Sequence, residues 1–257
     1  MIEPTKLSLN LNETLNVLAI DNSTKYLSIA YGECSKYGIS NYNYYHQVHT
    51  NDASNNILPQ IRNLLPSETI PDYIALGIGP GGFTGVRLAT SIALGLALAW
   101  NIKIIPICSL LCAIESFRSG YIWNIADMQD TQNSQNNLSN LAGRVILDAR
   151  MNEIYTRTFS YNHKDSQYNL GNIELLSANH NFDIFDVQNE QNSEIILTDI
   201  ENYTNNSNLF TYFTNPHALG LLSLVYNNLA FACEPQQISP NYIRNKVATT
   251  IAERKII

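Results

Sequence analysis

Hydrophobic residues in the first part of the chain come in short blocks that polar or glycine-rich turns separate. The blocks at 15–20, 26–32, 37–48, 73–78 and 102–107 predict strands. The stretch 51–65 instead repeats its apolar residues at helical spacing, and 109–117 predicts another helix with Ser109 as its N-cap. Strands that alternate with helices in this way predict an α/β fold.

A loop of five glycines and one proline precedes a further predicted helix at 86–100, which is apolar nearly all round. Such a helix has to be covered on both sides, by its sheet and by a neighbouring helix or another protein. Glycines allow this loop to approach another group closely, and the first N–H groups of a helix suit an anion. The spacing also fits a plain tight connection between strand and helix.

Arg87 falls in the first turn of this helix, where a cation opposes the helix dipole. An anionic neighbour offsets that cost. Asp21, Glu115, a carboxylate of a partner and a phosphate are the candidates, and we expect a simple internal ion pair.

The second half of the chain repeats a unit of the first. Strands predicted at 145–150 and 153–161 flank an acidic turn at Asp148, as the first two strands flank Asp21. Further strands are predicted at 168–176 and 194–197, and a final helix at 216–233 with Pro216 at its start. We therefore predict two related subdomains, 1–108 behind a polar extension at 1–13, and 109–257 with an exposed polar loop at 127–142.

Composition narrows the function classes. With 257 residues, 14% of them charged, and a net charge of −7, the chain is a poor stand-alone nucleic-acid binder. The N-terminus lacks the pattern of a signal peptide, and the longest apolar stretch, 88–100, is too short to span a bilayer, so we expect a cytoplasmic chain without a membrane role. The four cysteines suit reduced, buried thiols.

The histidines do not predict a metal site. No two of them are four positions apart, and His46 and His49 would point to opposite faces of a strand. The sequence contains neither an HExxH segment nor a Gly-x-Ser-x-Gly elbow. The full set is His46, His49, His163, His180 and His217. We therefore expect a chain without catalytic residues or metal ligands.

Several motifs resemble one family. GPGGFTGVR at 79–87 is similar to the GPGSFTGLR stretch of the TsaB (YeaZ) family, which helps make threonylcarbamoyladenosine on tRNA. VLAIDNST at 17–24, DARMNEIY at 148–155 and PNYIRNKVA at 240–248 resemble further segments of that family. Gly82 stands where the family usually has Ser, and Ala53 where many members have His.

This resemblance implies an actin-like ATPase (ASKHA, RNase H-like) fold with two related subdomains. It also implies an accessory subunit that activates the catalytic relative TsaD for threonylcarbamoyl transfer to the adenosine beside the anticodon. TsaE, a small ATPase, is the implied third partner, and tRNA binds only through the complex. The N-terminal helices are the implied contact surface for TsaD or for a second copy, with candidates Ile57, Ile61, Leu64, Leu88, Ile92 and Leu96.

Other functions stay open at this point. An ATP-binding kinase or ATPase would surround the phosphates with Asp21, Ser23, Thr24, Gly79, Gly81, Gly82, Thr84 and Asp148. A homodimeric structural protein differs from the accessory subunit only in what covers the two helices. A TsaD-like peptidase is disfavoured because its metal ligands are missing. No cofactor is required by the sequence, although ATP is a candidate at the level of the complex.

Overall fold

The structure is a computed structural model of the chain and describes residues 13–48, 53–121, 140–178, 194–200 and 210–243. Within these ranges the chain forms two β-sheets and four α-helices, which confirms the predicted α/β class. The residues 1–12, His49, His180 and the motif residues 244–248 lie outside the described ranges.

The first sheet contains five strands in the order β3-β2-β1-β4-β5. β1 pairs antiparallel with β2 and parallel with β4, so the hairpin β1–β2 continues into a parallel region. The strands β1 and β4 are almost wholly buried because helices cover both faces of the sheet. Their bounds are β1 Leu15–Asp21, β2 Tyr26–Ser35, β3 Gly38–Val48, β4 Tyr73–Gly77 and β5 Lys103–Ile107.

Two helices cover one face of this sheet, α1 (Ala53–Leu64) and α2 (Phe83–Trp100). The small residues Ala89, Ala93 and Ala97 of α2 are fully buried, which brings the helix close to the sheet. α2 has 18 residues and a mean hydropathy of 1.4, and is long and apolar enough to cross a membrane by length and composition. The sequence placed the longest apolar stretch at 88–100 and predicted that it is too short to span a bilayer. The helix is longer than that stretch because it begins at Phe83. The helix packs on the first sheet along one side, and 28% of its residues are buried inside the structure.

The second sheet repeats the strand order of the first. Its path is β11-β10-β6-β7-β8, with β9 pairing on β7 as well. β6 pairs antiparallel with β7 and parallel with β10, as β1 pairs with β2 and β4. The bounds are β6 Asn140–Arg150, β7 Glu153–Asn162, β8 Gln167–Leu170, β9 Glu174–Ser177, β10 Glu194–Thr198 and β11 Phe210–Phe213.

Two further helices connect the sheets. α3 (Ser109–Arg118) packs on one face of the second sheet through Leu110 and Ile114. α4 (Ala218–Asn228) packs on the first sheet, on the face opposite α1 and α2, and contacts α3. A helix from the C-terminal half of the chain thus completes the core of the N-terminal sheet.

Several predicted elements differ from those observed. The strand predicted at 168–176 is two strands, β8 and β9, which pair with successive parts of β7 on either side of residues 171–173. The strand β11 was not predicted, and residues 140–142 of the predicted polar loop belong to β6, while 127–139 lie outside the described ranges. The final helix begins after an N-cap at His217 and ends before Cys233, whose backbone pairs with that of Ile104.

Candidate functional site

The glycine loop lies directly against the turn that follows β1. The backbone N–H of Gly82 donates a hydrogen bond of 2.6 Å to the carbonyl oxygen of Ser23. A Cβ at Gly81 would lie 2.3 Å from that same oxygen, and a Cβ at Gly85 would lie 2.0 Å from the carbonyl oxygen of Asn22. The glycines therefore permit the close approach of two backbones, and the chain's own turn occupies the space beside Gly81 and Gly85.

The carboxylate of Asp21 is buried and fully engaged at the end of β1. Its Oδ1 accepts hydrogen bonds from the backbone N–H and the hydroxyl of Ser23, at 2.8 and 2.7 Å. Its Oδ2 accepts a hydrogen bond of 2.8 Å from the hydroxyl of Ser109. Burial raises the pKa of Asp21, while the hydrogen bonds from the two serines act against that rise. Asp21 thus holds the β1 turn to the start of α3.

The sequence predicted Ser109 as the N-cap of α3, but Cys108 occupies that position. Ser109 is the first helical residue, and its hydroxyl accepts a hydrogen bond of 3.1 Å from the backbone N–H of Gly79. Its own backbone N–H donates to the carbonyl oxygen of Gly79 at 2.8 Å. Gly79 has φ +89°, a left-handed value that favours glycine. The side chain predicted as a cap therefore connects Asp21 with the glycine loop.

The predicted phosphate candidates do not form one site. Five of them meet at the β1 turn and the glycine loop: Asp21, Ser23, Gly79, Gly81 and Gly82. Thr24, Thr84 and Asp148 lie apart from that group. The hydroxyl of Thr24 accepts a bond from the backbone N–H of Tyr26, at 3.3 Å. Thr84 is exposed on the first turn of α2, and Asp148 belongs to the corresponding turn of the second sheet.

A pair of carboxylates lies at the end of β6 and β10. Asp148 forms an ion pair of 3.0 Å with Arg150 and accepts a hydrogen bond from the Arg150 backbone. The backbone N–H of Asp148 donates to Oδ1 of Asp199 at 2.8 Å. Burial, with the nearby charge of Asp148 as a smaller cause, raises the pKa of Asp199 to about 7. Sequence reasoning missed Asp199, although an Asp two positions after the strand predicted at 194–197 was the available signal.

Arg87 does not form the predicted internal ion pair within the described part of the chain. Its Nε donates a hydrogen bond of 2.7 Å to the hydroxyl of Tyr242, and its Cζ lies 3.5 Å from the centroid of the Phe83 ring. Asp21 is already held by serines, and Glu115 pairs with Arg118 at 2.6 Å. The positive charge of Arg87 is therefore stabilised by aromatic rings rather than by a carboxylate.

A cavity of about 180 Å³ opens between the glycine loop, the β6–β7 turn and the C-terminal segment. Apolar and aromatic side chains form most of its walls. The lining residues on the side of the first sheet are Gly81, Phe83 and Val86, and those on the side of the second sheet are Ala149, Arg150, Met151 and Tyr155. Pro240, Asn241, Tyr242 and Ile243 close the remaining side.

The helix surface predicted as a partner interface is partly internal. Ile57 and Ile61 are 0% and 3% exposed, so they belong to the chain's own core and offer no side-chain surface to a partner. The remaining candidates are half-buried: Leu64, Leu88, Ile92 and Leu96. Leu98 is 55% exposed, and a Cβ at Gly95 would meet nothing within 4 Å. The C-terminal half of the outward side of α2 is thus apolar and small, with Gly95, Leu98 and Ala99 exposed, whereas its N-terminal half exposes Thr84, Arg87 and Ser91.

Two histidines form part of the core between β3 and α4. The rings of His46 and His217 stack with centroids 4.2 Å apart, and His46 also stacks on Tyr26. Nδ1 of His217 accepts the N-cap hydrogen bond from the backbone of Leu219 at 3.1 Å, so this ring is neutral. Burial lowers the pKa of His46 to about 4 and that of His217 to about 3. Among the described residues, no group of three or more His, Cys, Asp or Glu is placed to hold a metal ion.

Comparison with known proteins points to one family. A family model for TsaD, tRNA N6-adenosine threonylcarbamoyltransferase, matches residues 47–123, which include the glycine loop. The tRNA threonylcarbamoyladenosine biosynthesis protein TsaB of Haemophilus influenzae is 30% identical over 156 residues, which cover 56% of this chain and 53% of the relative. TsaB of Escherichia coli is 29% identical over 147 residues, with coverage of 55% and 53%. The chain spans about half the length of the curated relatives it matches.

Solved structures share the fold. A Pseudomonas aeruginosa protein described as similar to peptidase YEAZ aligns with a TM-score of 0.66 at 24% identity, covering 90% of this chain and 100% of that one. YeaZ from Pseudomonas aeruginosa aligns with a TM-score of 0.63 at 24% identity, covering 89% and 100%. Together, the named relatives, the structural neighbours and the family model confirm the predicted resemblance and fit the TsaB (YeaZ) family.

Proposed function

We propose that this chain is a non-catalytic accessory subunit in the synthesis of threonylcarbamoyladenosine on tRNA. It binds TsaD through the outward side of α1 and α2 and activates TsaD for threonylcarbamoyl transfer to the adenosine beside the anticodon. TsaE is the third partner, and tRNA reaches the chain only through the complex. This role lies in the cytoplasm. The names of the two curated relatives support the pathway.

The fold assignment that accompanies this proposal is the actin-like ATPase (ASKHA) fold. The repeated topology supports it, because each sheet starts with a strand, an Asp-containing turn and an antiparallel strand, and then adds parallel strands on the far side of the first strand. The repeat also supports the two related subdomains. Their boundary between 108 and 109 stays a proposal, since α4 from the C-terminal half packs on the first sheet.

The state of the glycine loop favours an accessory role over an ATPase. Gly81 and Gly85 face the backbone of Ser23 and Asn22, so a phosphate beside them would have to displace the β1 turn. The carboxylate of Asp21 accepts three hydrogen bonds from the chain itself. These groups stabilise the fold, and they are not available to bind nucleotide without a rearrangement.

The outward side of α2 is the observation that carries the partner proposal. Leu98 is more than half exposed, Gly95 faces open space, and Arg87 is the helix's one ionisable side chain. Exposed apolar surface of this kind marks protein interfaces. A second helix can approach a glycine-bearing face closely, and either TsaD or a second copy of this chain would cover it.

Co-purification with TsaD from the same genome tests the proposal. We expect the wild-type chain to form a heterodimer, and Leu98→Glu to weaken it about tenfold or more, because the charge has to be desolvated at the contact. Leu98→Glu is preferable to Leu88→Glu or Ile92→Glu, whose half-buried side chains also pack on the core. Tyr37→Glu is the matched control, since Tyr37 is 86% exposed in the β2–β3 turn.

A wild-type chain that does not bind TsaD but hydrolyses ATP alone would contradict the proposal and favour the ATPase alternative. Thr84→Ala is the variant for that assay. Thr84 is exposed, whereas Asp21→Ala removes three buried hydrogen bonds and is expected to unfold the protein.

A further inference from the structure

We propose that the edge strand β3 pairs with β3 of a second copy of this chain, antiparallel and around a two-fold axis at Tyr45. The two five-stranded sheets then join into one continuous sheet. This interface is separate from the outward side of α2, because α2 packs on β1, β4 and β5, whereas β3 lies at the edge beyond β2. The pairing therefore does not depend on the binding of TsaD.

The strand β3 presents an open and uncharged edge. Within the described ranges it pairs with β2 on one side and with no strand on the other. Its sequence, GISNYNYYHQV, contains no Asp, Glu, Lys or Arg, although the chain has a net charge of −7. Three of its large side chains are exposed: Tyr42 at 44%, Tyr44 at 53% and Val48 at 52%. Proteins usually charge, twist or cover a long edge strand, so this edge is suited to a further strand.

A bulge limits the part of β3 that can pair regularly. Tyr31 pairs with Asn43 and Glu33 with Ser40, so two residues of β3 lie opposite the single residue Gly32 of β2. Such a bulge bends the strand and interrupts a straight edge. The regular stretch is therefore 42–48, and its central residue is Tyr45.

This stretch is complementary to itself when two copies run antiparallel. With Tyr45 on the two-fold axis, Tyr42 lies opposite Val48 of the second copy, and Asn43 lies opposite Gln47 of the second copy. An aromatic residue opposite a β-branched one is a favourable cross-strand pair, and the symmetry forms each pair twice. No like charges meet across the axis. Another copy of this strand is the occupant that the edge fits best.

The helices on both faces of the sheet leave room for this pairing. α4 on one face and α1 on the other both contact β2 more extensively than β3. Helices centred over β2 in the two copies would be three strand spacings apart, about 14 Å, and a helix with its side chains is about 10–12 Å wide. Tyr44, whose ring contacts that of His217 beside α4, would lie in the space between the two α4 helices.

The interface is small, so the expected dimer is weak. One strand pair over the stretch 42–48 buries less surface than the about 1,600 Å² of a standard interface. We therefore expect a dissociation constant of about 10–100 μM. The chain should be mostly monomeric at about 5 μM and mostly dimeric at about 1 mM.

Sedimentation equilibrium of the full chain between these two concentrations tests the pairing. We expect the wild type to dimerise and Tyr42→Lys to weaken the dimer about tenfold, because each copy loses a cross-strand contact and gains a charge that has to be desolvated. Val48→Lys changes the other member of the same pair and should give a similar loss. Tyr37→Lys is the matched control, since Tyr37 is 86% exposed in the β2–β3 turn, outside the stretch 42–48. Leu98→Glu should leave this dimer unchanged.

Hydrogen exchange locates the contact. The amides of residues 42–48 should exchange more slowly at about 1 mM than at about 5 μM in the wild type, and equally at both concentrations in Val48→Lys. The proposal is overturned by a wild type that stays monomeric at about 1 mM, or by Val48→Lys that dimerises as well as Tyr37→Lys. A dimer that Leu98→Glu abolishes would overturn it as well, because the copies would then associate through α2.

Discussion

Gly77, Gly81 and Gly85 illustrate how residue-scale constraints determine this fold. A Cβ at Gly77 would lie 1.8 Å from a carboxylate oxygen of Asp21, and those at Gly81 and Gly85 would collide with backbone of the β1 turn. The sequence predicted a close approach at these glycines, and it left open what approaches them. That partner is the chain's own turn, 56 or more positions earlier, which local spacing has no means to indicate. Asp199 was missed for a related reason, since its partner Asp148 is 51 positions away.

Two glycines of α2 provide a matched test of this account. Gly85→Ala places a methyl group against the carbonyl oxygen of Asn22 and should destabilise the protein by about 2 kcal/mol or more. Gly95→Ala meets nothing within 4 Å and should stabilise it by about 0.5–1 kcal/mol, because alanine is the better helix former. Urea unfolding of both variants measures the difference. Equal free energies of unfolding for Gly85→Ala and Gly95→Ala would contradict the predicted contacts of these two glycines.

The stacked histidines predict acid sensitivity. Their pKa values are lowered to about 4 for His46 and about 3 for His217, while an unfolded histidine titrates near 6.5. Between about pH 6.5 and pH 4 the unfolded state therefore binds more protons, and the free energy of unfolding falls as the pH falls. His217→Asn keeps an N-cap acceptor and removes one titrating group, so its stability should depend less on pH in this window.

Urea unfolding at pH 7 and pH 4.5 checks this prediction. The exposed His163 provides the control variant, His163→Asn, which should keep the wild-type pH dependence. A pH dependence for His217→Asn as steep as that of the wild type would mean that His217 does not carry the effect.

At the scale of elements, hydrophobic spacing located most strands and helices because it reports local burial. The start of α2 at Phe83 was missed, since residues Phe83–Gly85 look like loop and become helical through the contact between Gly82 and Ser23. β11 is a short edge strand that pairs with β10, and four residues carry too weak a pattern to predict a strand. Gly171 and Asn172, two residues that favour turns, mark the interruption between β8 and β9 in the sequence.

α3 is connected to the second sheet by a buried ionic network that offers an element-scale prediction. Glu115, 2% exposed, accepts hydrogen bonds from Arg118 on its own helix and from the hydroxyl of Tyr168 on β8. Glu115→Gln leaves Arg118 without its carboxylate and should destabilise the protein by about 3 kcal/mol. Lys103→Gln breaks the exposed pair with Glu234, 3.5 Å long, and should cost about 0.5 kcal/mol or less. Thermal unfolding measures both, and similar losses would contradict the assigned role of the network.

At the scale of the whole molecule, the sequence predicted two related halves, and the two sheets do share one strand order. It did not predict that α4 would cover the first sheet, because nothing in an amphipathic helix specifies which sheet it packs on. Leu221, Leu222 and Val225 of α4 pack with Val17 and other residues of the first sheet. The core of the N-terminal half is therefore completed by residues two hundred positions later.

This arrangement predicts that the N-terminal half does not fold alone. A fragment of residues 1–121 lacks α4 and exposes one apolar face of the first sheet, so we expect it to be unfolded or aggregated. Addition of a peptide of residues 214–234 should restore a folded species, because it supplies the missing helix. Amide NMR dispersion of the fragment, with and without the peptide, measures this. A fragment that is well dispersed by itself would contradict the role of α4.

We propose above that this chain supports threonylcarbamoyladenosine synthesis through a partner that binds the outward side of α2. One measurement tests this most directly. The modified nucleoside is quantified by mass spectrometry in tRNA from bacterial cells depleted of their own TsaB and supplied with this chain together with the TsaD of its genome. The account predicts that the wild-type chain and Tyr37→Glu restore the nucleoside and that Leu98→Glu does not. Failure of the folded wild-type chain to restore it, or full restoration by Leu98→Glu, would contradict the account.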